Sequence, residues 1–103
     1  MSELFSLTGR VALVTGASGG LGRHFGRVLH AAGAAVVLAA RRPESVAADA
    51  AALGERAMAV SLDVTDATSI AAALDAAEAR FGACDLLVNN AGIAATKPFL
   101  DHA

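Results

Sequence analysis

The segment VALVTGASGGLGRHFG, residues 11–26, joins a short apolar run to a helical pattern, and Gly16, Gly19, Gly20 and Gly22 crowd the join. Few arrangements need so little side chain at one point. Glycine permits a tight turn with positive φ, lets backbone approach a ligand closely, and lets a helix pack tightly on a strand. The helix that follows presents unpaired N–H groups and a positive dipole end, which suit a phosphate. The segment therefore predicts a strand, a phosphate-sized turn and a helix, in that order.

The rest of the chain repeats the alternation. Arg10–Gly16 reads as the first strand, a Val-rich run bounded by glycines. Leu21, Phe25, Val28, Leu29 and Ala32 recur at helical spacing, and Gly33 stops that helix. Ala34–Ala40 is the second strand. The second helix follows, with Pro43 near its start and Gly54 at its end. Arg56–Val64 holds the third strand, and Asp66 caps a helix running to Phe81 and closed by Gly82. Asp85–Gly92 is the fourth strand and the turn after it. These strands lack polar alternation, as in a parallel sheet covered on both faces. Right-handed β-α-β-α-β-α-β crossovers then give an α/β, doubly wound, Rossmann-like sheet that is incomplete, with inferred order 3-2-1-4. Residues 1–103 form one dinucleotide-binding half-domain on this reading.

Spacing narrows the ligand. A Walker A loop needs Lys after its last glycine, and none stands near this turn. The pattern G-x-G-x-x-G fails as well, because counting from Gly20 and Gly22 ends on Phe25. Thr15 to Gly22 can be parsed as TGxxxGxG or TGxxGxxG. At the end of the second strand, NAD-specific folds place an acid for the ribose 2′-hydroxyl, whereas Arg accommodates a 2′-phosphate. Here Ala40 is followed by Arg41 and Arg42, with no acid before Glu44. NADP is favoured over NAD.

The totals exclude other classes. A formal charge of −2 gives no basic footprint for nucleic acid. No apolar stretch reaches bilayer length and the first residues lack a basic leader, so no membrane partner is expected. Cys84 is the only cysteine, which rules out an internal disulfide and fits a reducing cytoplasm. It reads as a small apolar residue entering a strand rather than a reactive thiol. His24, His30 and His102 are scattered, with His24 and His30 read as surface residues, and no metal site is expected.

Four motifs together, TGASGGLG, AARR, LDVTD and NNAG, resemble the N-terminal half of the short-chain dehydrogenase/reductases across essentially the whole chain. NNAG belongs to the shorter branch, whose glycine pattern is TGxxxGxG. The resemblance implies that Gly16, Ser18, Gly20, Leu21 and Gly22 line the phosphates and nicotinamide ribose, with Gly19 contributing backbone only. It implies that Arg41 meets the 2′-phosphate with Arg42 alongside, and that Asp63 and Val64 flank the adenine. Asn90, Ala91 and Gly92 would pass the adenine-side ribose, while Asn89 would tie strands together. Complete relatives of this kind are usually homo-oligomers.

The same resemblance implies a catalytic Ser and a Tyr-x-x-x-Lys pair in a later half. This chain has no Tyr, its one lysine is Lys97, and no Ser follows Ser69. No catalytic residue is therefore assigned. One reading is an NADP-dependent carbonyl/alcohol oxidoreductase represented by its cofactor-binding part, truncated before the catalytic half, so that a small-molecule substrate is met only in a complete enzyme. The alternative is a non-catalytic dinucleotide-binding module. With one helix on one face of the sheet, apolar surface around the first and fourth strands is expected to be exposed.

Overall fold

A computed structural model describes residues 6–89. The elements run β1 (Val11–Thr15), α1 (Gly20–Ala31), β2 (Ala35–Ala40), α2 (Glu44–Leu53), β3 (Ala57–Ser61), α3 (Ala67–Phe81) and β4 (Leu86–Asn89). The four strands pair in parallel in the order β3-β2-β1-β4. This is the incomplete Rossmann-like sheet that the alternation predicts, with strand ends one or more residues shorter. The third strand stops earliest. Leu62 still donates to Ala40 O at 2.9 Å, but the Asp63 N–H turns away to Ser69 Oγ at 2.9 Å.

Strand periodicity divides the core between two faces. Val14, Val36, Leu38 and Ala40 point to the side of α1 and α2, where Phe25, Leu29, Val46 and Ala50 meet them. Leu13, Val37, Ala39 and Leu87 point to the side of α3 and meet Ala73 and Ala77. Two helices thus cover one face and one covers the other. The expected exposure of β1 does not occur: all five of its residues are buried. Its neighbours β2 and β4 flank it, and α1 and α3 close over its two faces. The two edge strands are partly open: Leu86 and Val88 of β4 and Met58 and Ala59 of β3 are half-buried.

Polar ties close the amino-terminal side of the sheet. The Asp85 N–H donates to Val11 O at 2.9 Å, and Asp85 Oδ2 accepts from the Val11 N–H at 3.0 Å, locking β4 to β1. Arg56 Nη1 donates to His30 O at 3.2 Å and Ala34 O at 2.8 Å, securing the carboxyl end of α1 beside β3. Cys84 is half-buried and its thiol donates to Leu86 O at 3.1 Å; burial pushes this thiol up from its ordinary value, as befits a packing residue.

His24 is exposed, but His30 differs from its expected surface position. It is half-buried, and its Nε2 is enclosed without a hydrogen-bond partner among the described residues. Burial first, and the Arg56 guanidinium second, lower its pKa below the ordinary imidazole value of 6.5. The unfolded chain then binds the proton more readily than the folded one. This contribution to stability is full above pH 6.5 and is lost as pH falls through the lower folded value. Melting temperature should fall on acidification in this window, and the His30→Met variant should show a flatter profile. Parallel profiles in thermal melts of the two proteins would remove His30 as the cause.

Candidate functional site

At the carboxyl end of the sheet, β1 ends at Thr15 and the chain reverses at Gly16, with φ +61°. The Ala17 N–H donates to Ala39 O at 3.1 Å and the Gly19 N–H donates to Gly16 O at 3.2 Å, so the turn is tied to β2 and to itself. Gly19 caps α1 in an extended conformation, without a side-chain cap and with no acid in the first turn. The first-turn N–H groups are left for another acceptor by helix geometry, and the dipole favours an anion there.

The glycines divide the labour. A Cβ on Gly22 would lie 2.5 Å from Gly16 O and 2.8 Å from Ala17 Cα, so this glycine lets the helix sit against the turn. A Cβ on Gly20 would meet nothing within 4 Å, and one on Gly19 only an ordinary contact at 3.6 Å. Gly26 adds a role that the motif does not announce: its Cβ would come within 2.8 Å of Leu38 Cδ2, so it lets α1 approach β2.

The ends of β1, β2 and β3 enclose a cleft of ≈ 750 Å³ lined by Thr15, Gly16, Ser18, Ala40, Arg41, Arg42, Ser45, Leu62 and Val64. The Arg41 side chain is 82% exposed. Arg42 O accepts from the Ser45 hydroxyl at 2.7 Å and from its N–H at 3.0 Å, which turns the chain from β2 into α2. Asp63 stands behind Arg41, with its Oδ2 4.0 Å from Arg41 Nη2. Its Oδ1 accepts from the Thr65 hydroxyl at 2.6 Å and the Thr65 N–H at 3.0 Å. The hydroxyl bond first and the amide second hold this carboxyl below its usual pKa; desolvation opposes them, and the Arg41 charge adds the least. Helix capping in this segment belongs to Asp66, which accepts from the Thr68 and Ser69 N–H groups.

The sequence model of one family, short chain dehydrogenase, matches residues 10–103. The chain belongs to the short-chain dehydrogenase family.

Among relatives in this family, nodulation protein G from a Rhizobium species is 48% identical over 90 residues, covering 87% of this chain and 37% of its own. Cis-4-hydroxycyclohexanecarboxylate dehydrogenase from Sinomonas cyclohexanicum is 48% identical over 99 residues, covering 94% and 39%. The 3-oxoacyl-[acyl-carrier-protein] reductase of Escherichia coli is 45% identical over 85 residues, covering 82% and 35%. The chain thus spans little more than a third of the length of these relatives.

Of the residues singled out in the sequence, the cleft brings together Gly16, Ser18, Arg41, Arg42 and Val64. Gly19, Gly20 and Leu21 stand at the start of α1, with Leu21 58% exposed, while Gly22 is buried in packing. Asn90, Ala91 and Gly92 lie outside the described residues. Thr15, Ser45 and Leu62 join the wall without having been assigned a role by sequence. Thr15 had one signal, its place just before Gly16; its hydroxyl donates toward Asn89 Oδ1 at 3.2 Å and Val88 O at 3.3 Å, so Asn89 ties β4 to β1. Among the described residues no group of His, Cys, Asp or Glu could hold a metal, and no helix is long and apolar enough to cross a membrane.

Proposed function

We propose that residues 1–103 are the NADP(H)-binding half-domain of a cytoplasmic oxidoreductase that moves hydride between the nicotinamide and a small carbonyl or alcohol substrate. The cleft carries this reading: a glycine turn and helix start on one side, and Arg41 and Arg42 on the other, with Ala40 in place of an acid. The residues present fit a dinucleotide. Gly20 leaves open space where a side chain would stand, α1 has no carboxylate in its first turn, and the rim is cationic.

Gly16, Ser18, Gly19, Gly20 and Leu21 would hold the pyrophosphate side through the turn and the first N–H groups of α1. Gly22 acts by keeping α1 against Gly16. Arg41 and Arg42 would supply charge-assisted bonds to a 2′-phosphate. Val64 and Asp63 would bound the adenine, and Asn90, Ala91 and Gly92 the neighbouring ribose. Bound NADPH supplies the hydride. Reduction of a carbonyl also needs a proton donor, which typically contributes about 10²–10⁴-fold. The family's phenol is not among these residues, since the chain has no Tyr. Catalysis, the substrate contacts and assembly into homo-oligomers are therefore assigned to a later part of a complete enzyme.

The 103-residue chain should accordingly bind NADPH and show no substrate-dependent loss of NADPH absorbance with ketone or 3-oxoacyl substrates. Sustained turnover by demonstrably pure chain would overturn the assignment of the proton donor to later residues. A coding sequence that continues in frame past Ala103 with Ser and then Tyr-x-x-x-Lys supports the enzyme. A stop there, with no separate catalytic half, supports a non-catalytic dinucleotide-binding module.

A further inference from the structure

The loose pair between Arg41 and Asp63 bears on how strongly the cleft selects its ligand, an inference that rests on the NADP(H) reading above. Arg41 and Arg42 are both exposed on the cleft rim, and Arg41 Nη2 lies 4.0 Å from Asp63 Oδ2, the oxygen that Thr65 does not engage. Three bonds fix Asp63 in place: its N–H donates to Ser69 Oγ, and its Oδ1 accepts twice from Thr65. The carboxylate side chain is 37% exposed against 82% for Arg41, so the cation is the freer member. An anion arriving at Arg41 therefore competes with a carboxylate that cannot follow the guanidinium.

We infer that Asp63 is a specificity-determining residue that moderates 2′-phosphate binding by competing for Arg41, and that Thr65 is the positioning residue that limits this competition. Thr65 holds Oδ1 back and leaves the pair at long range, where an exposed ion pair is weak and screened by salt. Removing the carboxylate charge takes away both the competitor and a like charge near the phosphate. Removing the Thr65 hydroxyl releases the carboxylate toward Arg41 and tightens the competition.

The test uses 2′,5′-ADP and 5′-AMP as probes, which differ in the 2′-phosphate and need no turnover. Calorimetric titration of the 103-residue chain at low salt gives the ratio of their affinities, with thermal melts confirming that each variant is folded. The preference for 2′,5′-ADP should rise about two- to fivefold in Asp63→Asn, the range set by exposed ion pairs. It should fall about twofold in Thr65→Val and return to the Asp63→Asn value in the double variant. The differences should shrink at high salt. A ratio unchanged or lowered in Asp63→Asn, or a Thr65→Val effect that persists in the double variant, overturns the inference. If Asp63→Asn does not fold, a ratio unchanged or raised in Thr65→Val overturns it alone. A parent chain that binds both probes equally instead overturns the NADP(H) reading itself.

Discussion

Replacing Ala40 with Asp and Arg41 with Ala together is expected to reverse the cofactor order, from NADP(H) over NAD(H) to the opposite. In the parent chain, a guanidinium bond to the 2′-phosphate should contribute about 1.5–3 kcal/mol, or roughly ten- to a hundredfold in affinity. Arg41→Ala removes that bond, and Ala40→Asp places a negative charge where the phosphate would lie. The structure adds a condition on the second change. Ala40 lines the cleft but is only 7% exposed, so the new carboxylate must turn into the cleft to stay solvated. Arg41→Ala alone is the cleaner arm and should by itself remove most of the preference for NADP(H). Equal affinities of the parent for both cofactors, measured by titration calorimetry, would refute the assignment.

Alanine substitutions at Gly20 and Gly22, both in the first turn of α1, should have opposite consequences, because the two glycines do different work. Gly22→Ala forces a methyl to within 2.5 Å of Gly16 O and 2.8 Å of Ala17 Cα, both backbone atoms that cannot rotate away. Overpacking of this kind costs about 1–3 kcal/mol, which in a domain of this size lowers Tm by roughly 5–20 °C. Gly20→Ala meets nothing within 4 Å, and Ala is the better helix former. Its melting temperature should be unchanged or higher, while NADPH affinity drops because the methyl occupies the approach to the helix start. Thermal melts and fluorescence titrations on the two variants separate these outcomes. A stable Gly22→Ala protein, or Gly20→Ala with undiminished affinity, would show that the glycines had been given the wrong jobs.

The element order was legible because each segment carries its own signal. The Val and Ala runs of β1 to β3 lack polar alternation, and Gly33, Gly54 and Gly82 all adopt positive φ just after a helix. Such signals are local, and local geometry decides where a helix stops. The cleft was legible in part. Gly16 and Arg41 announce themselves by residue type at a strand end, whereas Leu62 and Ser45 join the wall only because three strand ends converge. Nothing in their sequence neighbourhood marks that convergence. The same limit explains the wrong expectation for β1. Counting helices per face suggested exposed sheet, yet burial depends on how α3 lies across the strands.

Sequence by itself determined that the chain is an alternating α/β segment of the short-chain dehydrogenase family, with a glycine turn before its first helix and arginines after its second strand. These are properties of short windows, set by periodicity, turn chemistry and residue type. Tertiary structure decided which glycine serves packing and which leaves space, how Gly26 brings α1 onto Leu38, and that His30 loses its expected exposure beside Arg56. It also brought Arg41 and Asp63, 22 positions apart in the chain, to 4.0 Å. The reason is physical: parallel pairing aligns the carboxyl ends of β2 and β3, so residues just beyond each strand become neighbours however far apart they stand in sequence.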